Sequence, residues 1–387
     1  MKKEHYFFIT LIAIALFSCN ANRHSGALTV IDTSKRFPEK TLVLQEIAQV
    51  EYIALETTDD FLTDDSTPRF IDDNIIVMTV RQTGEVLIFD RKTGKGISKF
   101  NRLGRSGQEY LSLNNLTADY ESGEIFIQGG ERILVYDMQG GFKRVFELPG
   151  SSISAIFTFD RGNLICYDYN ATNSQPCFLI DKTDGGITHE FVMPIGDTIA
   201  LPIRAYFPRA GVSGIIRVHA QCVKTYNGYV IGKPALDTLY ALNSLTNRVV
   251  PMLVHASHIL TIEPADFNLL TVLNETRDMI FLEAMKININ FDPMGGNSSP
   301  FTNERLVYLK DTGECFVQKV INADYEGWES YVNRNSGDYP AGTACFVLSA
   351  YDLHDANGSG RLRGELGAVA SGIVRDDNPV LAIAHFR

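Results

Sequence analysis

The stretch that decides the fold is Val86–Leu148, VLIFDRKTGKGISKFNRLGRSGQEYLSLNNLTADYESGEIFIQGGERILVYDMQGGFKRVFEL. Val86-Leu87-Ile88-Phe89 reads as a short buried strand. Asp90 to Lys95 reads as a turn, with Gly94 where a positive φ is cheap. Ile97 to Phe100 is the return strand. A glycine-punctuated crossing follows, Gly104 to Tyr110, and then the same hairpin pattern appears again.

Outward from this stretch the pattern repeats. Ile88-Phe89-Asp90 is echoed by Val135-Tyr136-Asp137 and by Leu179-Ile180-Asp181, each followed by a glycine-bearing turn at Gly94, Gly140-Gly141 and Gly185-Gly186. Weaker echoes are Thr238 to Asn243 and Leu306 to Gly313. The aspartates stand 47 and 44 positions apart, and the later echoes 62 and 68. A period of roughly 40–50 residues with about four short strands reads as β-propeller blades, because one four-stranded blade cannot cover both its faces and needs neighbours. Five echoes and a terminal strand, Val380 to Phe386, predict an all-β fold: a six-bladed propeller of four-stranded antiparallel blades. The same reading has the N-terminal segment Leu42 to Leu55 beside the C-terminal strands, closing the ring. A few short helical insertions are expected, within Glu263–Lys286 (alongside strand-like Met279–Leu282) and within Arg361–Ile373.

The chain has 387 residues, 45% hydrophobic and 21% charged, with 31 glycines, 23 phenylalanines and 16 tyrosines, as expected of a folded chain with many strands and turns. Its net charge of −11 without a basic run argues against nucleic-acid binding. At the N-terminus Met1-Lys2-Lys3 precedes an apolar run, Tyr6 to Phe17, which is the length of a signal h-region and short for a membrane span. It ends at Leu16-Phe17-Ser18-Cys19, which resembles a bacterial lipobox. The expected division is a signal peptide over 1–19 with Cys19 as the lipid attachment site, a tether over 20–41, and one propeller over 42–387. The address expected is the cell envelope, as an outer-membrane lipoprotein with its facing side open.

Several motifs resemble those of the six-bladed β-propeller lipoproteins abundant in Bacteroidetes. Gly104-Arg105-Ser106-Gly107-Gln108-Glu109-Tyr110 is similar to their glycine-rich linker, although Ser106-Gly107-Gln108 stands where Gly-Pro-Gly is usual. Val50 to Thr57 is similar to their opening strand, Asp237 to Tyr240 to a central strand, and Asp377 to Leu381 to the closing one. The resemblance implies a propeller on a lipid anchor and no particular reaction.

Candidate chemistry is sparse. Arg105, Gln108, Glu109 and Tyr110 sit on a crossing between blades, where propellers take ligands, and form the candidate ligand-binding set. The alternative is turn geometry, with Tyr110 packed between blades and Glu109 paired with Arg102 or Arg105. Asp355 to Gly360 begins like a calcium loop but puts Arg361, Arg363 and Leu366 where ligands belong, so it reads as a turn. His255 and His258 lack a ligand pattern, and no metal or cofactor is expected. Cys166 and Cys177 read either as a cross-hairpin pair or as buried free thiols. No nucleophile-elbow, zincin or phosphate-loop motif is present. Two functions therefore stand. The favoured one is a monomeric, membrane-anchored module that binds a glycan, peptide or partner protein. The alternative is a carbohydrate-active hydrolase or lyase with channel carboxylates.

Overall fold

The computed structural model describes residues 28–64, 66–113, 115–149, 153–168, 175–194, 203–209, 211–216, 221–261, 265–288 and 300–387. Cys19 and the signal segment lie outside the described residues.

The chain starts with β1 (Thr29–Ile31) and β2 (Glu39–Val43), then a single helical turn α1 (Leu44–Ile47) and β3 (Ala48–Ala54). The first regular sheet is β4 (Phe70–Ile71), β5 (Ile75–Val80), β6 (Glu85–Asp90) and β7 (Gly96–Asn101), paired in that order. The second is β8 (Asn115–Asp119), β9 (Glu124–Gln128), β10 (Arg132–Asp137) and β11 (Phe142–Glu147). The third is β12 (Ile153–Thr158), β13 (Asn163–Asp168), β14 (Cys177–Asp181) and β15 (Ile187–Glu190). A two-stranded ribbon follows, β16 (Ile203–Phe207) with β17 (Val212–Ile216). The fourth regular sheet is β18 (Gln221–Thr225), β19 (Gly228–Gly232), β20 (Thr238–Asn243) and β21 (Arg248–His255). The fifth is β22 (Ile259–Thr261), β23 (Asp266–Glu275), β24 (Met279–Ile287), β25 (Phe301–Leu309) and β26 (Cys315–Ile321), with β27 (Glu329–Ser330) on β26. Last come β28 (Thr343–Leu348), the helices α2 (Ala350–Gly358) and α3 (Gly364–Ala370), and β29 (Val380–Phe386).

The result is an all-β propeller of antiparallel sheets with few helices. The five echoes are the turns between the last two regular strands of five sheets. In each, an Asp or Asn side chain accepts backbone N–H groups that the turn leaves free. Asp90 accepts from Thr93, Asp137 from Gln139 and Gly141, Asp181 from Thr183, Asn243 from Leu245 and Thr246, and Asp311 from Thr312. The glycines answer to the preceding sheet. Gly140 and Gly185 have φ near +79°, and a Cβ on them would lie 2.4 Å from Phe100 and 2.3 Å from Phe146. One motif thus both closes a hairpin and seats it on the outer strand before it.

Four expectations are corrected. Among the described residues five sheets have four or more strands; the terminal unit expected as a sixth is the three-stranded β28-β29-β3. Its missing strand has a local cause. The chain between β28 and β29 forms α2 and α3, which bury Leu353, Ala356, Leu366 and Ala370, and α3 packs on β3. Second, the helix expected within Glu263–Lys286 is the long hairpin β23–β24, whose residues are buried almost continuously on both faces, so helical periodicity misled there. Third, the calcium-like run is no loop: Asp355 to Gly358 belong to α2, and the Asp355 carboxylate pairs with Arg375 at 2.7 Å. Fourth, the segment assigned to the tether is structured from Thr29. Strand β1 runs parallel beside β21, and β2 parallel beside β26.

Strand β3 pairs antiparallel with β29 from Ala54↔Val380 to Ala48↔Phe386, so the two ends of the chain share a sheet, whereas Leu42 and Val43 join β26 instead. Asn378 explains the closing motif. It is 3% exposed, its carbonyl accepts from Thr63 N–H, and its amide donates to the carbonyls of Glu56 and Phe61. The cysteines after Cys19 are free. Cys166 stands opposite Phe178, not Cys177, so the two thiols face different core clusters and cannot bridge.

Candidate functional site

The inner strands β4, β8 and β12 touch in sequence, and β18 touches β23, so these first strands surround the middle of the propeller. The chain fills that middle with its own segment, Asn333 to Pro340, between β27 and β28. The segment runs as an extra short strand beside β4. Asp338 N–H donates to the Arg69 carbonyl at 2.9 Å, Ile71 N–H donates to the Asp338 carbonyl at 3.0 Å, and the Tyr339 hydroxyl donates to the Pro68 carbonyl at 2.7 Å. Gly337 lies so close that a Cβ there would fall 2.1 Å from the Arg69 carbonyl. This close approach is why glycine stands at 337.

Asp338 is the anchor of this plug. Its carboxylate accepts the Thr117 hydroxyl of β8 at 2.7 Å and Thr158 N–H of β12 at 2.7 Å, and it pairs with Lys224 of β18 at 2.6 Å. The side chain is 1% exposed. Sites on four sheets therefore converge on one residue. Isolated, a buried carboxylate is costly; with three donors, one of them the Lys224 ammonium, it fixes the register of the plug.

The plug separates two faces. On the lower face, where the inner strands end, a 430 Å³ depression is lined by Asp72, Asp73, Asp119, Glu121, Lys224 and Asp338. Its buried carboxylates are committed. Asp72 accepts N–H bonds from Asn74 and Ile75, although burial still raises its pKa. Burial would also raise Asp119, but the Lys182 ammonium at 2.7 Å outweighs it and holds that carboxyl below the usual range.

On the upper face, where the inner strands begin, three cavities of 210, 240 and 40 Å³ all border Arg334. The protein around Arg334 lowers its pKa by desolvation, yet its side chain is exposed to the cavity space. It has no ion pair or hydrogen bond among the described residues. Lys233, on the wall of the 210 Å³ cavity, is likewise without a direct partner; burial lowers its pKa, and the Asp168 carboxylate acts against this. The same cavity is walled by Leu239, Leu269, Leu270 and Met285, and by His255 and His258, whose rings lie 6.1 Å apart.

The sequence-derived candidates lie on this upper face, on the crossing from β7 to β8, but away from the cavities. Tyr110 is fully buried and donates to the Gly84 carbonyl at 2.6 Å. The Glu109 carboxylate accepts Ser106 N–H, and the Gln108 carbonyl accepts the Tyr136 hydroxyl. The side chains of Arg105 and Gln108 are exposed. Arg334, Asp338 and Lys233 were missed because no local motif marks them. The one signal was the polar run Asn333-Arg334-Asn335-Ser336-Gly337-Asp338 between strand-like segments.

Among the described residues no group of three or more His, Cys, Asp and Glu is placed to hold a metal ion. No helix among them is long and apolar enough to cross a membrane. Among solved structures the chain is similar to a protein of Bacteroides fragilis named as a candidate exported protein, at 14% identity and a TM-score of 0.59, over 93% of this chain and 100% of that one. It is also similar to a DUF4221 family member from Bacteroides vulgatus, at 11% identity and a TM-score of 0.45, over 88% and 97%. A third likeness is to hydrazine synthase of Kuenenia stuttgartiensis, at 12% identity and a TM-score of 0.39, over 86% and 90%. The first of these supports the fold alone. No curated protein matches. Residues 28–385 match a single family along their whole length, and the chain belongs to that family, the Domain of unknown function DUF4934.

Proposed function

We propose that this protein is a binding module, a propeller held at the bacterial cell envelope by a lipid on Cys19, that takes its ligand in the upper-face cavity beside Arg334. The observation that carries this is the division of labour in the middle of the molecule. Asp338 and its donors are used up in holding the plug, while Arg334 and Lys233 face a cavity with no direct partner. Arg334 is exposed to the cavity space and Lys233 is half-buried, so an anionic ligand group can pair with them without first breaking an ion pair. We read the three-stranded sheet β28-β29-β3 as the sixth unit of a closed ring. Core clusters join it to the fifth sheet on one side and to the first on the other. A closed ring fixes the cavity walls and lowers the ordering cost of binding.

The test is a screen of the full chain against glycan and peptide libraries, with capture and product formation followed together. Capture without turnover, lost in Thr271→Trp, which fills the cavity, supports the module. Hydrolysis or elimination that disappears when a lower-face carboxylate is changed would establish the enzyme alternative instead.

A further inference from the structure

The three-stranded sheet β28-β29-β3 ends on β28, which pairs with β29 alone among the described strands. Antiparallel pairing turns the backbone groups of alternate residues to opposite sides of a strand. The Gly342 carbonyl accepts Phe386 N–H of β29, so Ala344, Phe346 and Leu348 also face β29. Thr343, Cys345 and Val347 then turn their N–H and C=O groups the other way, toward the plug. There the Thr343 carbonyl accepts the side-chain amides of Asn335 and Asn274, at 2.9 and 2.8 Å. The backbone N–H and C=O groups of Cys345 and Val347 have no protein partner among the described residues.

In front of them is space. The 240 Å³ cavity lies between this edge and the plug, with Cys345 and Val347 on one wall and Asn333, Arg334 and Ser336 on the other. An open strand edge is a template for one more strand, because extended peptide backbone reproduces the spacing of its donors and acceptors. The flanks suit alternating side chains. Ala344 and Phe346 pack with Trp328 on one face of β28, and Cys345 and Val347 pack with Tyr339 on the other. Trp328 and Tyr339 both line the cavity, so an added strand presents successive side chains to one ring and then the other.

Charge fixes which end enters. Arg334 is the one charged side chain lining this cavity, and it has no ion pair or hydrogen bond among the described residues. A strand antiparallel to β28 finishes beside Thr343, whose carbonyl is already capped by Asn335, the neighbour of Arg334 in the chain. An α-carboxylate at that end meets the guanidinium.

We infer that the open edge of β28 binds the C-terminal end of an extended peptide, which adds a fourth strand to that sheet and places its α-carboxylate at Arg334. This goes beyond the reading of the 210 Å³ cavity as the ligand site and does not rest on it; the two cavities share only Arg334.

The experiment titrates the full chain with acetyl-Thr-Val-Val as the free acid, and with its C-terminal amide as control, by calorimetry up to about 10 mM, ten times a Kd of ~1 mM. Hydrogen exchange over residues 343–348 is followed in parallel. The acid should bind at least about tenfold tighter than the amide. Near saturation, exchange at Cys345 and Val347 N–H should slow about tenfold, while Ala344, Phe346 and Leu348, already paired with β29, should not change. Arg334→Gln should bring acid and amide to within about threefold of each other. Val347→Pro removes an edge donor and no bond to β29, and should weaken binding of the acid at least about tenfold. If either variant folds poorly, the exchange pattern and the acid–amide ratio on the unaltered protein decide. No binding of the acid, binding without slowed exchange at Cys345 and Val347, or equal affinity for acid and amide overturns the inference. So does binding that is lost in Thr271→Trp, since Thr271 lines the 210 Å³ cavity and not this one. Peptide binding that persists in Thr271→Trp supports it, whatever that variant does to library capture.

Discussion

Replacing Asp338 with alanine removes a residue on which four sheets converge. The carboxylate holds Thr117, Thr158 N–H and Lys224, and it is 1% exposed. Loss of the acceptor leaves Thr158 N–H unsatisfied, which costs about 1–3 kcal/mol. Lys224 is 28% exposed and recovers water, so the broken ion pair falls at or below the low end of the ~3–5 kcal/mol seen for fully buried pairs. The effects overlap, and the expected loss is about 3–4 kcal/mol. Unfolding entropy is about 2.1 cal/mol/K per residue; for a chain of 387 residues this corresponds to a fall in Tm of about 4 °C. Asp338→Asn keeps the shape and one acceptor and should lose about half as much. Urea midpoints of the two variants and of Lys224→Met give the global cost. The double variant Asp338→Ala with Lys224→Met should show a coupling of roughly 1–3 kcal/mol. Hydrogen exchange at Thr158 N–H reads the plug directly and should accelerate in Asp338→Ala more than exchange in β13 does. An alanine variant within about 0.5 kcal/mol of the parent, with Thr158 exchange unchanged, would show that the plug is held by something else.

Other consequences follow from the same geometry. Gly140→Ala and Gly185→Ala should each cost more than about 2 kcal/mol by urea denaturation, since both strain and a clash with Phe100 or Phe146 arise, whereas Gly123→Ala, with φ +64° and open space, should cost only about 1 kcal/mol. His255 is neutral when folded, with its pKa near 4, and ordinary, near 6.5, when unfolded. The unfolded chain therefore takes up the proton first, and stability is full above pH 6.5 and falls by about 3 kcal/mol on the way to pH 4. His255→Gln should flatten that part of the pH–stability curve. The Arg144 guanidinium, donating to both Glu124 oxygens at 2.7 and 2.8 Å, outweighs burial and, with Lys143, holds that carboxyl below its ordinary value. Its contribution is present above the unfolded pKa and is lost as pH falls through the folded one, and Arg144→Met should remove it. Cys166, Cys177 and Cys222 are buried and free, so a thiol reagent should modify them only after unfolding. Cys19→Ala should abolish metabolic labelling with palmitate.

Much of the architecture was legible because a propeller repeats a local solution. The Asp-to-Gly turn is written out in consecutive residues at Asp90, Asp137 and Asp181, and its chemistry, a side chain accepting the turn's N–H groups, needs no distant partner. The terminal sheet, expected as a sixth four-stranded blade, was misjudged for the opposite reason. Its strand complement is decided by α2 and α3 competing for the same chain, and their stability comes from packing on β3 and the neighbouring sheet. Helical periodicity in Glu263–Lys286 failed because a hairpin buried on both faces has no period-2 alternation.

The site divides in the same way. The sequence alone determined the turns, the pairing of the chain ends through β3 and β29, and a crossing whose Tyr110 is packed. These rest on contacts between neighbours in the chain or on a repeating frame. Only the tertiary structure decided which charges meet. Asp338 finds Thr117, Thr158 and Lys224 from 221, 180 and 114 positions away, and His255 meets Thr33 from 222 positions away. Electrostatics and hydrogen bonding depend on distance in space, and the propeller brings into its middle residues that the sequence keeps far apart.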